Sequence, residues 1–123
     1  MQKNQKGFTI IELLVVIVII GILVALALPN LFSAQARGRD TDRKNELKNL
    51  QTKLETHFND NGAYPAGLAN LNPVPSTEET QDPRNVNYGY TLTGGSYTLT
   101  TTLENTDDPD AGAGGVYTLN SVN

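Results

Sequence analysis

Lys6-Gly7-Phe8-Thr9-Ile10-Ile11-Glu12-Leu13-Leu14 opens an apolar run that continues to Leu28. Between Phe8 and Leu28 only Thr9, Glu12 and Gly21 are not apolar. That length matches a helix crossing a hydrocarbon core of about 30 Å. A carboxylate a little over one turn inside such a helix costs about 2.5–3.5 kcal/mol on insertion scales. The segment itself offers Glu12 no partner. Three arrangements satisfy it: the carboxylate snorkels to the interface, it stays protonated, or another chain supplies a cation. Cutting between Gly7 and Phe8 would create an α-amino group about 6 Å along the helix from Glu12. In staggered parallel helices that amine can meet the carboxylate of the next copy, and only the correct stagger satisfies both charges.

The run is longer than the apolar core of a secretory signal, and the sequence beyond it continues as helix. A retained anchor is therefore expected, despite the small residues Ala25 and Ala27 near its end. Pro29 interrupts the helical pattern, so a kink or loosening is expected between Gly21 and Pro29. From Asn30 to about Phe58 the composition again favours helix. Leu47, Leu50, Leu54 and Phe58 form one apolar stripe at helical period, whereas Ser33 to Lys44 has little to bury. Asn59-Asp60-Asn61-Gly62 supplies a stop, and Pro65 prevents resumption. A helix from Phe8 to Asn59 would be roughly 78 Å long, so half of it would project from a small domain.

Beyond it, residues 63–87 read as a long loop with one short helical turn near Ala66 to Leu71. The period then switches to two. Val86, Tyr88, Tyr90 and Leu92 alternate with polar or small residues, Gly94-Gly95 makes a hairpin turn, and Tyr97, Leu99, Thr101 and Leu103 alternate in the next strand. A loop from Glu104 to Gly115 precedes a last strand, Val116 to Val122. The expected fold is α+β: a long N-terminal helix whose second half packs on a small antiparallel three-stranded sheet. The expected divisions are a leader at 1–7, a membrane and assembly helix at 8–29, the amphipathic half of the same helix at 30–60, and a loop-and-sheet head at 61–123.

Charge is unevenly spread over this chain of net charge −4: six bases face three acids from Asn30 to Lys53, but one base faces nine acids from Leu54 onward. A positive stem and a negative head suggest pairing between copies, with the bases from Arg37 to Lys53 on acidic surfaces of their neighbours. An acidic head also argues against direct nucleic-acid binding, which begins with phosphate neutralisation. The absence of Cys says nothing about compartment. With one His, no Cys and no paired acids on a defined scaffold, no acid–base or nucleophilic centre can be assembled, and no catalytic residue or cofactor is expected. His57, beside Phe58, reads as a packing or solvent residue, and Tyr88, Tyr90, Tyr97 and Tyr117 as sheet packing. Asp108-x-Asp110-x-Gly112, with Asp107 and Glu104 nearby, contains a fragment of calcium-loop chemistry. A solvated acidic loop has the same composition, and no metal ligand is assigned.

Lys6-Gly7-Phe8-Thr9-Ile10-Ile11-Glu12 and the apolar helix after it resemble the class III signal of type IV pilins and of the pseudopilins of type II secretion systems. Asn61-Gly62-Ala63-Tyr64-Pro65 is similar to a turn common after this helix in small pilins and major pseudopilins. The resemblance implies a pilin-like fold, a prepilin peptidase that cuts after Gly7 and methylates Phe8, and a Glu12 that neutralises a neighbouring terminus. It implies that Gly21 and Pro29 are where the helix loosens. The implied function is a structural subunit of a type IV pilus, a homo-oligomeric helical filament built by an assembly platform in the cytoplasmic membrane. The alternatives are a major pseudopilin of a type II secretion system and, more distantly, a monomeric membrane-tethered binding module. The implied location is a single-pass membrane protein with its head outside the cytoplasm, and afterwards a filament at the cell surface.

Overall fold

The computed structural model describes residues 7–123, and residues 1–6 of the expected leader, Lys3 and Lys6 among them, lie outside the described residues. Helix α1 (Ile10–Asn61) is followed by a 3₁₀ turn at Leu68–Asn70 and the short helix α2 (Thr77–Thr80). Strands β1 (Gly89–Thr93), β2 (Ser96–Thr102) and β3 (Val116–Asn120) complete the chain, with a second 3₁₀ turn, Ala113–Gly115, just before β3. The chain divides into two units, one ending at Ala34 and the other running from Gln35 to Asn123.

In the first unit every residue from Gly7 to Ala34 is exposed. The helix there has a mean hydropathy of 3.3 in its most apolar window, long and apolar enough to cross a membrane. A helix apolar all round has no polar face to give to water, so lipid or other helices must surround it. Helix α1 includes both Gly21 and Pro29. Proline lacks the N–H that would bond to the carbonyl four residues earlier. On the other side of Pro29, the Ser33 hydroxyl donates to the Pro29 carbonyl at 3.2 Å.

The second unit is α+β, as the sequence implies. The sheet has the order β1-β2-β3, with both pairs antiparallel. Tyr90 faces Leu99, and Leu99 faces Leu119. Gly94 and Gly95 close the first hairpin with φ of 61° and 88°. Two successive left-handed residues match the right-handed twist of the flanking strands, and glycine adopts that conformation without a Cβ penalty. Against the sheet lie Leu47, Leu50 and Leu54 of α1, in a core shared with Tyr64, Leu71, Tyr88, Tyr97, Leu99, Leu103 and Tyr117. Phe58 is half-buried at the edge of this core, its ring 4.6 Å from that of Tyr64.

A core this rich in tyrosine needs acceptors for its hydroxyls. Helix α1 supplies two. Glu55 accepts from Tyr97 at 2.7 Å and from Tyr64 at 2.9 Å, and Glu46 accepts from Tyr88. Glu55 also accepts from the Val122 backbone N–H at 3.1 Å and so ties the last residues to the helix. No buried side-chain polar atom among the described residues lacks a hydrogen bond.

The structure extends the helical stripe. Asp40 and Arg43 are buried in line with Leu47, Leu50 and Leu54. Ser33 to Lys44 therefore does bury something, as a charged pair rather than as apolar side chains. Val86 is exposed and precedes β1, because a turn at Asp82 holds it. The Val86 N–H donates to Asp82 Oδ1 at 2.8 Å, and its carbonyl accepts from the Asp82 N–H at 2.8 Å.

Candidate functional site

Gly7, Phe8 and Thr9 precede the helix, and Phe8 is 85% exposed. The Gly7–Phe8 bond thus lies in exposed, non-helical chain. At Glu12 the structure corrects the sequence reading, because the segment does supply a partner. The Thr9 backbone N–H donates to Glu12 Oε2 at 2.9 Å, and the Thr9 hydroxyl donates to the same oxygen at 2.8 Å. In return the Glu12 N–H donates to Thr9 Oγ1 at 3.3 Å. This is a capping box, in which a Thr at the helix start and a Glu three residues later satisfy each other's backbone donors. Its signal was present as Thr-x-x-Glu before an apolar run. Both bonds to the carboxylate fall on Oε2, and among the described residues Oε1 has no partner.

Thr9→Val removes the hydroxyl while keeping the shape. The helix start is expected to lose about 1 kcal/mol. Amide exchange in detergent should then speed up at Ile10 to Leu13, with no change beyond the second turn.

The stem bases occupy a different place from the one their charge pattern suggested. Most of them pair within the chain. Arg39 holds Glu104 with two bonds, of 2.8 and 2.7 Å. Arg43, with a side chain only 3% exposed, reaches Asp40 at 2.7 Å, Asp82 at 2.7 Å and Glu104 at 2.9 Å. Arg84 reaches Glu104 at 2.8 Å. Asp40 in turn accepts the backbone N–H groups of Glu104 and Asn105, each at 2.8 Å. Three guanidinium groups and three carboxylates thereby fasten the loops at 82–86 and 103–105 to α1.

Lys53 pairs with Glu79 of α2, whose start is closed by a capping box between Ser76 and Glu79. Lys44 donates to Asp108 at 2.6 Å and to Asp110 at 2.7 Å, with its ammonium 5.7 Å from the centre of the Tyr117 ring. The two aspartates of the calcium-like fragment therefore receive a lysine. Among the described residues no group of three or more acidic, His or Cys side chains is arranged to hold a metal ion.

These pairs make the head sensitive to acid. The hydrogen bond from Arg39, then that from Arg43, brings the Glu104 carboxyl down from 4.5 to about 2. Burial works against ionisation of Asp82, but the Val86 N–H and Arg43 outweigh it and hold the group below 3.8. The hydrogen bond from Lys44 likewise lowers the Asp108 carboxyl from its ordinary value, and that from Lys53 lowers Glu79. A carboxyl with a depressed folded pKa leaves the unfolded chain to take up protons first, so stability is lost as pH falls. The melting temperature of the head is expected to be flat from pH 8 to about 5, then to fall steadily from about 4.5 towards 2. Melting curves in detergent across that range check it.

Residues 2–28 match a family model described as the prokaryotic N-terminal methylation motif. The chain is 44% identical over 70 residues to a type IV wide pilus major component of Thermus thermophilus, covering 57% of this chain and 53% of that protein. It is 41% identical over 63 residues to the type IV major pilin of Myxococcus xanthus, covering 51% of this chain and 29% of that protein. To the type II secretion system core protein G of Dickeya chrysanthemi it is 35% identical over 88 residues, covering 69% of this chain and 56% of that protein. The chain thus spans less than two thirds of the length of each of these relatives. No solved structure matches it. Residues 2–28 thus match the model of the prokaryotic N-terminal methylation motif, and the chain that carries them is similar to type IV pilins and to type II secretion core protein G.

Proposed function

We propose that this chain is the structural subunit of a type IV pilus filament, with no catalytic role. It would be inserted in the cytoplasmic membrane with its head outside, cut between Gly7 and Phe8 by a prepilin peptidase, and methylated on the Phe8 amine. An assembly platform in that membrane would then polymerise it through residues 8–29. The observation that carries this reading is the helix up to Leu28: apolar apart from Glu12 and Gly21, exposed at every residue, and headed by a carboxylate with one oxygen that has no partner among the described residues. In a filament the helices of other copies would cover that surface. The cut leaves the new amine one residue before Thr9, within reach of a neighbour's Glu12. Gly21 and Pro29 are where we expect the helix to loosen, since Pro29 withholds a backbone donor and glycine is a weak helix former.

A second reading, the major pseudopilin of a type II secretion system, is favoured by one observation. The match to core protein G extends over 69% of this chain, against 57% and 51% for the two pilin matches. Intact mass of the chain from membranes and from a sheared surface fraction, with electron microscopy of that fraction, separates the readings. A terminus at methylated Phe8 in abundant long filaments supports the pilus. The same terminus without long surface filaments supports the pseudopilus. An unprocessed Met1 terminus and no filaments would leave a membrane-tethered binding module.

A further inference from the structure

With Arg39, Arg43, Lys44 and Lys53 in internal ion pairs, and Glu46 and Glu55 turned to the tyrosine hydroxyls of the core, the charges that remain on α1 and α2 sort by face. Arg37 and Lys48 are exposed and, among the described residues, take part in no ion pair. They lie 11 residues apart, which at about 100° per residue is roughly 20° past three full turns, so both lie along one flank of the helix. Asp42 and Asp60, also exposed, are 18 residues apart, about five full turns, and so share a direction roughly 140° around from Arg37. Exposed Glu78 of α2 belongs to the same side, since it lines one hollow with Glu46, and its neighbour Glu79 is bonded to Lys53. The buried line from Asp40 to Leu54 separates the two flanks on the core side.

A helix with a basic flank and an acidic flank is complementary to another copy of itself placed side by side. Joined flank to flank, two copies related by a two-fold rotation would bring like charges together, whereas copies related by a head-to-tail step bring the basic flank of one to the acidic flank of the next. Such heterologous contacts generate rings or open helical filaments rather than closed dimers. We propose that Arg37 and Lys48 of one copy face the Asp42, Asp60 and Glu78 side of the next, and that this sets the direction in which copies add around the filament axis. The proposal rests on the filament reading and names the surface that would join the heads.

The chain has no cysteine, so introduced cysteines report on neighbours alone. Co-assembling a Lys48→Cys chain with an Asp42→Cys or an Asp60→Cys chain is expected to give disulfide-linked mixed dimers in filaments, with little 48-to-48 product. Reversing Arg37 and Lys48 to Glu should lower filament yield at low salt by on the order of fivefold. Adding Asp42→Lys and Asp60→Lys to that chain should restore it. Normal filaments that yield mainly 48-to-48 links, or no mixed links, overturn the proposal and leave the filament reading standing. A parent chain that forms no filaments overturns that reading first, and the proposal with it.

Discussion

Arg43→Ala is expected to destabilise the head by about 3–5 kcal/mol, a large part of the stability of a small domain. The reason is the company that Arg43 keeps. Its guanidinium is almost fully buried and contacts Asp40, Asp82 and Glu104. Removing it leaves Asp40 and Asp82 with their charge and without their cation, in a place where water does not replace it. Neither carboxylate can simply turn to solvent, because Asp40 is holding the Glu104 and Asn105 amides and Asp82 those of Arg84 and Val86. The loss should therefore appear as local opening before global unfolding, with faster amide exchange at 82–86 and 103–105. Arg43→Lys should recover only part of it, since one ammonium cannot imitate the planar fork that spans three carboxylates. Denaturant unfolding of the full chain in detergent measures the size, and a change below about 1 kcal/mol would show that the buried cluster is not what fastens these loops.

This cluster also marks where the sequence stopped being legible. The stripe at Leu47, Leu50 and Leu54 was readable because its residues are apolar. Asp40 and Arg43 continue the same alternation of three and four residues, but a pattern reading assigns charged residues to the surface. The spacing was there; the residue types hid it. The stem's positive charge was legible in the same partial way, because composition gives the sign of a surface and not its partner. Only the fold brings Glu104, Asp108 and Glu79 to within hydrogen-bonding distance of Arg39, Lys44 and Lys53. Helix α2 went unread because four residues cannot show a helical period, although Ser76-x-x-Glu79 was available as a cap. The sheet was easier. Alternating Tyr and Leu on either side of Gly94-Gly95 imply a hairpin on local grounds alone, and the hairpin is present.

Glu12 was legible as an anomaly, and the capping box changes what a substitution there must be made to show. Glu12→Ala removes both the helix cap and the charge, so a failure to assemble would not say which of them mattered. Glu12→Gln separates the two. Its amide oxygen can still accept from the Thr9 N–H and hydroxyl, so the helix start should remain as ordered as in the parent chain. What disappears is the negative charge of the carboxylate, to whose Oε1 the proposed amine of a neighbouring Phe8 would bind in a low-dielectric surrounding. Charge pairing of this kind outweighs a neutral hydrogen bond, so both variants are expected to insert and be cut at Gly7 normally and then to lose at least about tenfold in filament yield. Thr9→Val provides the complementary case, with a weakened cap and an intact charge, and should assemble close to normally. The measurement is filament yield by electron microscopy beside the intact mass of the membrane-bound chain. Normal assembly by Glu12→Gln, with failure of Thr9→Val, would make Glu12 a helix-capping residue and remove the intermolecular charge pair from the account of this chain.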